Sequence, residues 1–132
     1  MEDVSLHNLV PEGCPPEDAS PPDLKVYRFV KESPPQDWDF KSALERNPNK
    51  DYGDNQCMRS GLSVFSDIED AKEARKAIRG MKSKHVAKGT LSPMAGLVEH
   101  TPRPSSRSHH TWWKDTDFDA IMCFDSVSPP IE

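Results

Sequence analysis

The sequence predicts an α+β fold: a mostly antiparallel sheet of about five or six short strands, with one main and one short helix packed on it. Three observations carry this reading. The stretch from Gly61 to Gly80, GLSVFSDIEDAKEARKAIRG, passes from a strand-forming run directly into a capped amphipathic helix. Short runs of β-compatible residues recur along the rest of the chain, bounded by Pro, Gly, Ser or Asp. Their order (strand, helix, strand, helix, then a run of strands) suits helices laid on an antiparallel sheet.

Residues 1–23 read as an acidic, proline-rich flexible leader. They hold six acids, five prolines and no Lys or Arg, whereas residues 24–132 hold 17 basic and 16 acidic residues. Such a segment serves as an acidic interaction tail or as a solvated leader without a role of its own. Residues 24–128 form the single α+β domain, and 129–132 a tail. With 34% hydrophobic and 30% charged residues, part of the 132-residue chain is expected to stay unpacked.

Lys25 to Lys31 is the first strand, with Val26, Arg28 and Val30 on one side and Tyr27 and Phe29 on the other. Ser33-Pro34-Pro35 breaks it. Asp37 caps a short helix over 37–46, anchored by Trp38, Phe40 and Leu44 and closed by Asn47-Pro48. Residues 47–60 are polar and read as a loop. Leu62, Val64 and Phe65 make a short buried strand. The main helix spans about 67–80: Ser66 or Asp67 caps it, and Ile68, Ala71, Ala74, Ile78 and Met81 form its apolar stripe. Acids crowd its first turn and Arg75, Lys76 and Arg79 lie toward its end, matching the helix dipole. Gly80 stops it. Strands follow at 85–91, 96–101 and 109–113, with a last one within Phe118–Val127 that ends before Pro129.

From Arg28 onward the chain resembles a group of small bacterial hypothetical proteins. The shared pattern is Arg28 on the first strand, Pro34-Pro35, Asp39-Phe40, the Gly61-Leu62-Ser63-Val64 strand, Ala71 with Ala74, His110-Thr111-Trp112-Trp113, and the final strand Ile121 to Val127. That resemblance implies architecture and no activity. A second likeness is to the ADP-ribosyltransferase-like fold. It implies that Arg28 meets a phosphate or ribose of NAD and that Ser63 lies in the nicotinamide pocket. The chain departs from that fold in lacking a Glu-x-Glu or Gln-x-Glu pair; Glu99 and Asp125 are the only acids on late strands. An oxocarbenium-like transition state needs such a carboxylate.

Arg28 is the odd residue in an apolar row. It pairs with a buried acid, snorkels to the sheet edge, or faces a cleft and receives an anion. The segment 103–114, RPSSRSHHTWWK, gathers Arg103, Arg107, His109, Trp112, Trp113 and Lys114, a mixture that grips phosphate or anchors a protein interface. His100, His109, His110 and Cys123 match no closed zinc spacing, so no metal site is expected. Cys123 in an apolar strand reads as a packed thiol. Cys14, Cys57 and Cys123, odd in number and without CxxC spacing, favour free thiols and a cytoplasmic home. No apolar run is long enough for a membrane helix, and the N-terminus lacks a signal-peptide pattern.

Two functional readings follow. One is a small intracellular binding module without cofactor that presents the 103–114 loop to a protein or a phosphorylated ligand. The near-neutral body weighs against nucleic acid, and nothing points to a membrane. The other is an ADP-ribosyltransferase-like or other nucleotide-handling enzyme, active or degenerate, with NAD as cofactor and Arg28, Ser63 and His110 lining a cleft. The two separate on whether Arg28, Ser63 and His110 open into one concave pocket.

Overall fold

Six strands pair antiparallel into one sheet in a computed structural model that describes residues 4–131; Glu2 and Asp3 of the leader and Glu132 of the tail lie outside the described residues. The strands are β1 (Leu24–Val30), β2 (Leu62–Phe65), β3 (His85–Leu91), β4 (Gly96–His100), β5 (His109–Lys114) and β6 (Asp125–Ser128). Their spatial order is β4-β5-β2-β1-β3-β6, so the α+β expectation holds. Four helices accompany them: α1 (Ala43–Arg46), α2 (Gln56–Arg59), α3 (Ile68–Ala77) and α4 (Ala120–Cys123).

Strand alternation divides the core into two clusters. On one face Val26, Val30, Leu62, Val64, Trp112 and Phe124 gather with Phe40 of the 3-10 turn Asp37–Phe40. On the other, Phe65 packs with Ala71 and Ala74 of α3, flanked by Tyr27 and Phe29. The small alanines let α3 lie close to the strands. Asp67 caps it as expected, its carboxylate accepting from the amides of Glu69 and Asp70.

Several elements differ from the sequence reading, each for a local reason. The helix expected over 37–46 is a 3-10 turn and a single α turn, divided at Lys41-Ser42 because Ser42 starts its own capping box with Glu45. Trp38 is 47% exposed instead of anchoring that helix, and the Arg46 guanidinium lies 5.1 Å above its ring. The loop expected over 47–60 contains α2. The main helix ends at Ala77: Ile78 takes an extended conformation, so its side chain leaves the stripe and is 36% exposed. Gly80 adopts its positive φ in the turn beyond the helix. The first half of the expected Phe118–Val127 strand is helical, because the Asp119 carboxylate caps α4 at the amide of Met122.

The cysteines also differ from expectation. Cys14 and Cys57 form a disulfide across 43 residues, leaving Cys123 as the free thiol among the described residues. Closing a loop of that size contributes about 2–4 kcal/mol by restricting the unfolded chain. The acidic segment expected to be a solvated leader lies against the domain at further points. The Ser20 amide and carbonyl pair with Val98, the Ser5 amide donates to the Asp115 carboxylate, and His7 Nε2 lies 2.9 Å from the Ser60 carbonyl.

Arg75, expected toward the end of the main helix to complement its dipole, is 3% exposed. Its guanidinium donates to the carbonyls of Lys84 and Pro129 and to the hydroxyl of Ser128, tying α3 to the C-terminal strand. Replacing it leaves those part-buried acceptors without this donor. Arg75→Ala should therefore lower the urea-unfolding free energy by about 2–3 kcal/mol, whereas Lys76→Ala on the exposed face should change it by less than about 0.5 kcal/mol.

Candidate functional site

The sheet is joined most sparsely between β1 and β2. The ladder between them registers at one pair, Tyr27 with Phe65. The other neighbours are fully paired: β1 with β3 from Leu24 to Val30, and β2 with β5 from Leu62 to Phe65. Past Tyr27 and Phe65 the two strands therefore part, and a cavity of about 690 Å³ opens where they separate.

Arg28 occupies the parting. It is 7% exposed, its Nε donates to the Asp39 carbonyl at 2.9 Å, and its Nη1 donates to the Ser63 carbonyl at 2.8 Å. The guanidinium thus bridges the separated strands and the 3-10 turn. Arg28 thus borders the cavity, but its donors go to backbone carbonyls rather than to a buried acid or to solvent at the sheet edge. Burial lowers its pKa first, and the nearby Arg46 charge adds to this; the Asp39 carboxylate offsets part.

The charge around the cleft is one-sided. Arg28, Lys41, Arg46, Arg59, Lys84 and Arg103 line it, and among the described residues Asp39 is the only carboxylate that does so. Asp39 is itself committed: its oxygens accept the backbone amides of Lys31 at 2.6 Å and Gln36 at 2.9 Å, fixing the turn after the Pro-Pro break. Among the described residues the ion pairs are Lys76 with Glu73 and His7 with Glu45, so none of the six cleft cations has one. Desolvation followed by like charge lowers the pKa of Arg103, which feels Arg59.

Ser63 projects from β2 into this cleft, on the face shared with Phe65, Thr111 and His109. Its Oγ lies 3.0 Å from His109 Nε2. The other ring nitrogen of His109, Nδ1, lies 2.9 Å from the Thr101 carbonyl, which only accepts, so Nδ1 carries the proton and Nε2 is left as the acceptor for the Ser63 hydroxyl. Thr101 Oγ1, also 2.9 Å away, and an edge-on contact with Phe65 hold the ring. Burial lowers the His109 pKa to about 4. The Arg103 charge and His110 act in the same direction, against the Thr101 hydrogen bond and Asp70.

The expected trio is thus brought together in two of its three members. Arg28 and Ser63 share the cleft, but His110 does not line it. In the β2–β5 register Val64 faces His110 and Phe65 faces His109, so His110 belongs to the opposite face. There its ring lies tilted against that of His100, the centroids 4.7 Å apart.

The 103–114 segment is likewise divided. Arg103 and His109 line the cleft, whereas Arg107 is exposed outside it. Trp112 and Trp113 are 0% and 1% exposed and are core residues, not a stacking surface. Trp112 donates to the Ala95 carbonyl, and Trp113 to the Cys57 carbonyl and Ser60 hydroxyl. Lys114 turns to a second cavity, beside Glu45 and Asp119, and donates to the carbonyls of Asp115 and Phe118. Lys41, Arg46, Arg59 and Lys84 were not singled out by the sequence; they come from three separate stretches with no shared motif.

Cys123 accepts no role at the cleft: its thiol donates to the Thr90 carbonyl, and burial raises its pKa. Among the described residues no group of three or more His, Cys, Asp or Glu side chains is placed to hold a metal ion, and no helix is long and apolar enough to cross a membrane. Compared with protein-family models, with curated proteins and with solved structures, the chain matches none.

The His109 environment sets a pH dependence. Above pH ~6.5 the ring is neutral whether folded or unfolded. Between 6.5 and about 4 the unfolded chain takes up a proton that the folded protein refuses, so stability falls with pH across that window and levels off below it. His110, also lowered by burial, adds in the same direction. Urea midpoints measured from pH 7.5 to 4.5 should decline in the native protein and decline less steeply in His109→Gln.

Proposed function

We propose that this protein is a small binding module that takes a phosphorylated small molecule into the cleft between β1 and β2. One observation carries the reading: six cations line the cavity, without an ion pair among the described residues, and face a single carboxylate that is spent on backbone amides. The chain as a whole carries a net charge of −5, so this concentration of positive charge does not follow from composition. A cavity of about 690 Å³ lies in the range of small-molecule sites. Arg103 offers a planar fork suited to phosphate oxygens. The burial of both tryptophans removes the stacking surface on which docking of a protein to the 103–114 loop rested.

The ADP-ribosyltransferase-like reading draws support from the meeting of Arg28 with Ser63 in one cleft. It lacks a free carboxylate there, since Asp39 is engaged. NAD therefore enters as one phosphorylated candidate among several. A cytoplasmic home rested on unpaired cysteines. The Cys14–Cys57 bond withdraws that argument and favours an oxidising compartment.

Thermal unfolding with inorganic phosphate, pyrophosphate, ATP and NAD tests the reading. A ligand at one hundred times its Kd adds about 2.7 kcal/mol to stability, a rise of several degrees in Tm. At least one phosphorylated compound should produce it. Arg103→Ala should abolish the rise and Arg107→Ala should leave it intact. No rise with any of them, or equal loss in both variants, contradicts the proposal.

A further inference from the structure

The pairing of Ser63 with His109 has the form of a nucleophile and its base. We infer that this pair hydrolyses carboxylic esters whose acyl or alcohol part carries a phosphate or carboxylate. The inference rests on the proposed anion-binding cleft for the charge of the substrate, and on separate geometry for the chemistry.

Three features place Ser63 in that role. Its side chain is exposed into the cavity, although the strand that carries it is flanked on both sides. Its Oγ lies 3.0 Å from an imidazole nitrogen that carries no proton, because the Thr101 carbonyl holds the proton on the other nitrogen. The base is oriented in turn by Thr101 and Phe65, so nucleophile, base and orienting group stand in sequence. A structural histidine needs no such exposed hydroxyl at its second nitrogen.

The step balances without an added reductant or oxidant. Ser63 Oγ attacks the ester carbonyl carbon while its proton passes to His109 Nε2. The tetrahedral oxyanion forms among the cleft guanidiniums, of which Arg28 already holds the Ser63 carbonyl. Collapse breaks the bond to the alcohol oxygen, which leaves with the proton from His109. Water then attacks the acyl-serine, giving its proton to His109. The carboxylic acid departs as Ser63 recovers its hydrogen. Arg103, which lines the cleft beside His109, is the residue placed to draw in the anionic group.

Labelling of the full-length native protein with a fluorophosphonate, mapped by mass spectrometry, tests the pair directly, since the reagent carries no anionic group. The expected result is modification of Ser63 at least tenfold faster than any other serine, and loss of that selectivity in His109→Gln. A circular-dichroism spectrum of each variant checks that it is folded, and the native-protein label stands independently of either. Ser63 labelled no faster than the exposed Ser105 overturns the inference. Millimolar phosphate should slow labelling of Ser63 severalfold. If labelling is selective but phosphate has no effect, the nucleophile stands and the charge assigned to its substrate is overturned. If phosphate raises Tm while Ser63 stays unlabelled, the binding reading survives and the hydrolase does not.

Discussion

The guanidinium of Arg28, lodged between two strands that pair at a single register, is the constraint on which the rest of the structure depends. Burying a cation is costly unless it gains partners, and here the partners are two backbone carbonyls, of Asp39 and Ser63. Those bonds substitute for the ladder that β1 and β2 do not form beyond Tyr27 and Phe65. They also fix the carbonyl side of Ser63, so that its hydroxyl is presented to the cavity. Opposed charges at about 4 Å interact by roughly 4 kcal/mol near a protein surface. A cleft with several unneutralised cations therefore gains far more from an incoming anion than from a neutral molecule.

The rim of the cleft is assembled from segments that the sequence presents as unrelated. α2 brings Met58 and Arg59, and the disulfide holds the neighbouring Cys57 to Cys14 of the acidic segment. Trp113 packs beneath, its indole donating to the Cys57 carbonyl and Ser60 hydroxyl. Gly61 is required at that crossing: a Cβ there would stand 2.6 Å from the Thr111 methyl and 3.2 Å from the Trp113 ring. The tryptophan that looked like a contact surface is thus a support for the rim, and the disulfide links the leader to the same support.

Much of the fold was legible because its signals are local. Alternation in Lys25–Lys31, the Asp67 cap and the alanine spacing of α3 each act within a few residues, and all appear in the structure. Arg28 stood out in the sequence because it is a polar side chain set in an apolar row, whereas Ser63 was named as a site residue only through the ADP-ribosyltransferase-like likeness. The choice between His109 and His110 was not legible, since it turns on a one-residue register between β2 and β5, which lie more than forty positions apart. The tryptophans misled for a related reason. β5 is covered on both faces, so its sequence lacks the alternation that would have marked Trp112 and Trp113 as core. Ile78 left its expected stripe because the helix ended one residue earlier. The Cys14–Cys57 bond and the remaining cleft cations depend on tertiary proximity, for which no spacing rule exists.

The parting of β1 and β2 is measured most directly by cross-strand nuclear Overhauser effects in the folded protein. The account predicts backbone contacts between Tyr27 and Phe65 and none between Phe29 and Ser63, the pair that would face each other if the ladder continued. It also predicts a slowly exchanging Arg28 Nε proton. A ladder of contacts running unbroken to Phe29 and Ser63 would contradict it, and would leave the cleft without the gap that forms it.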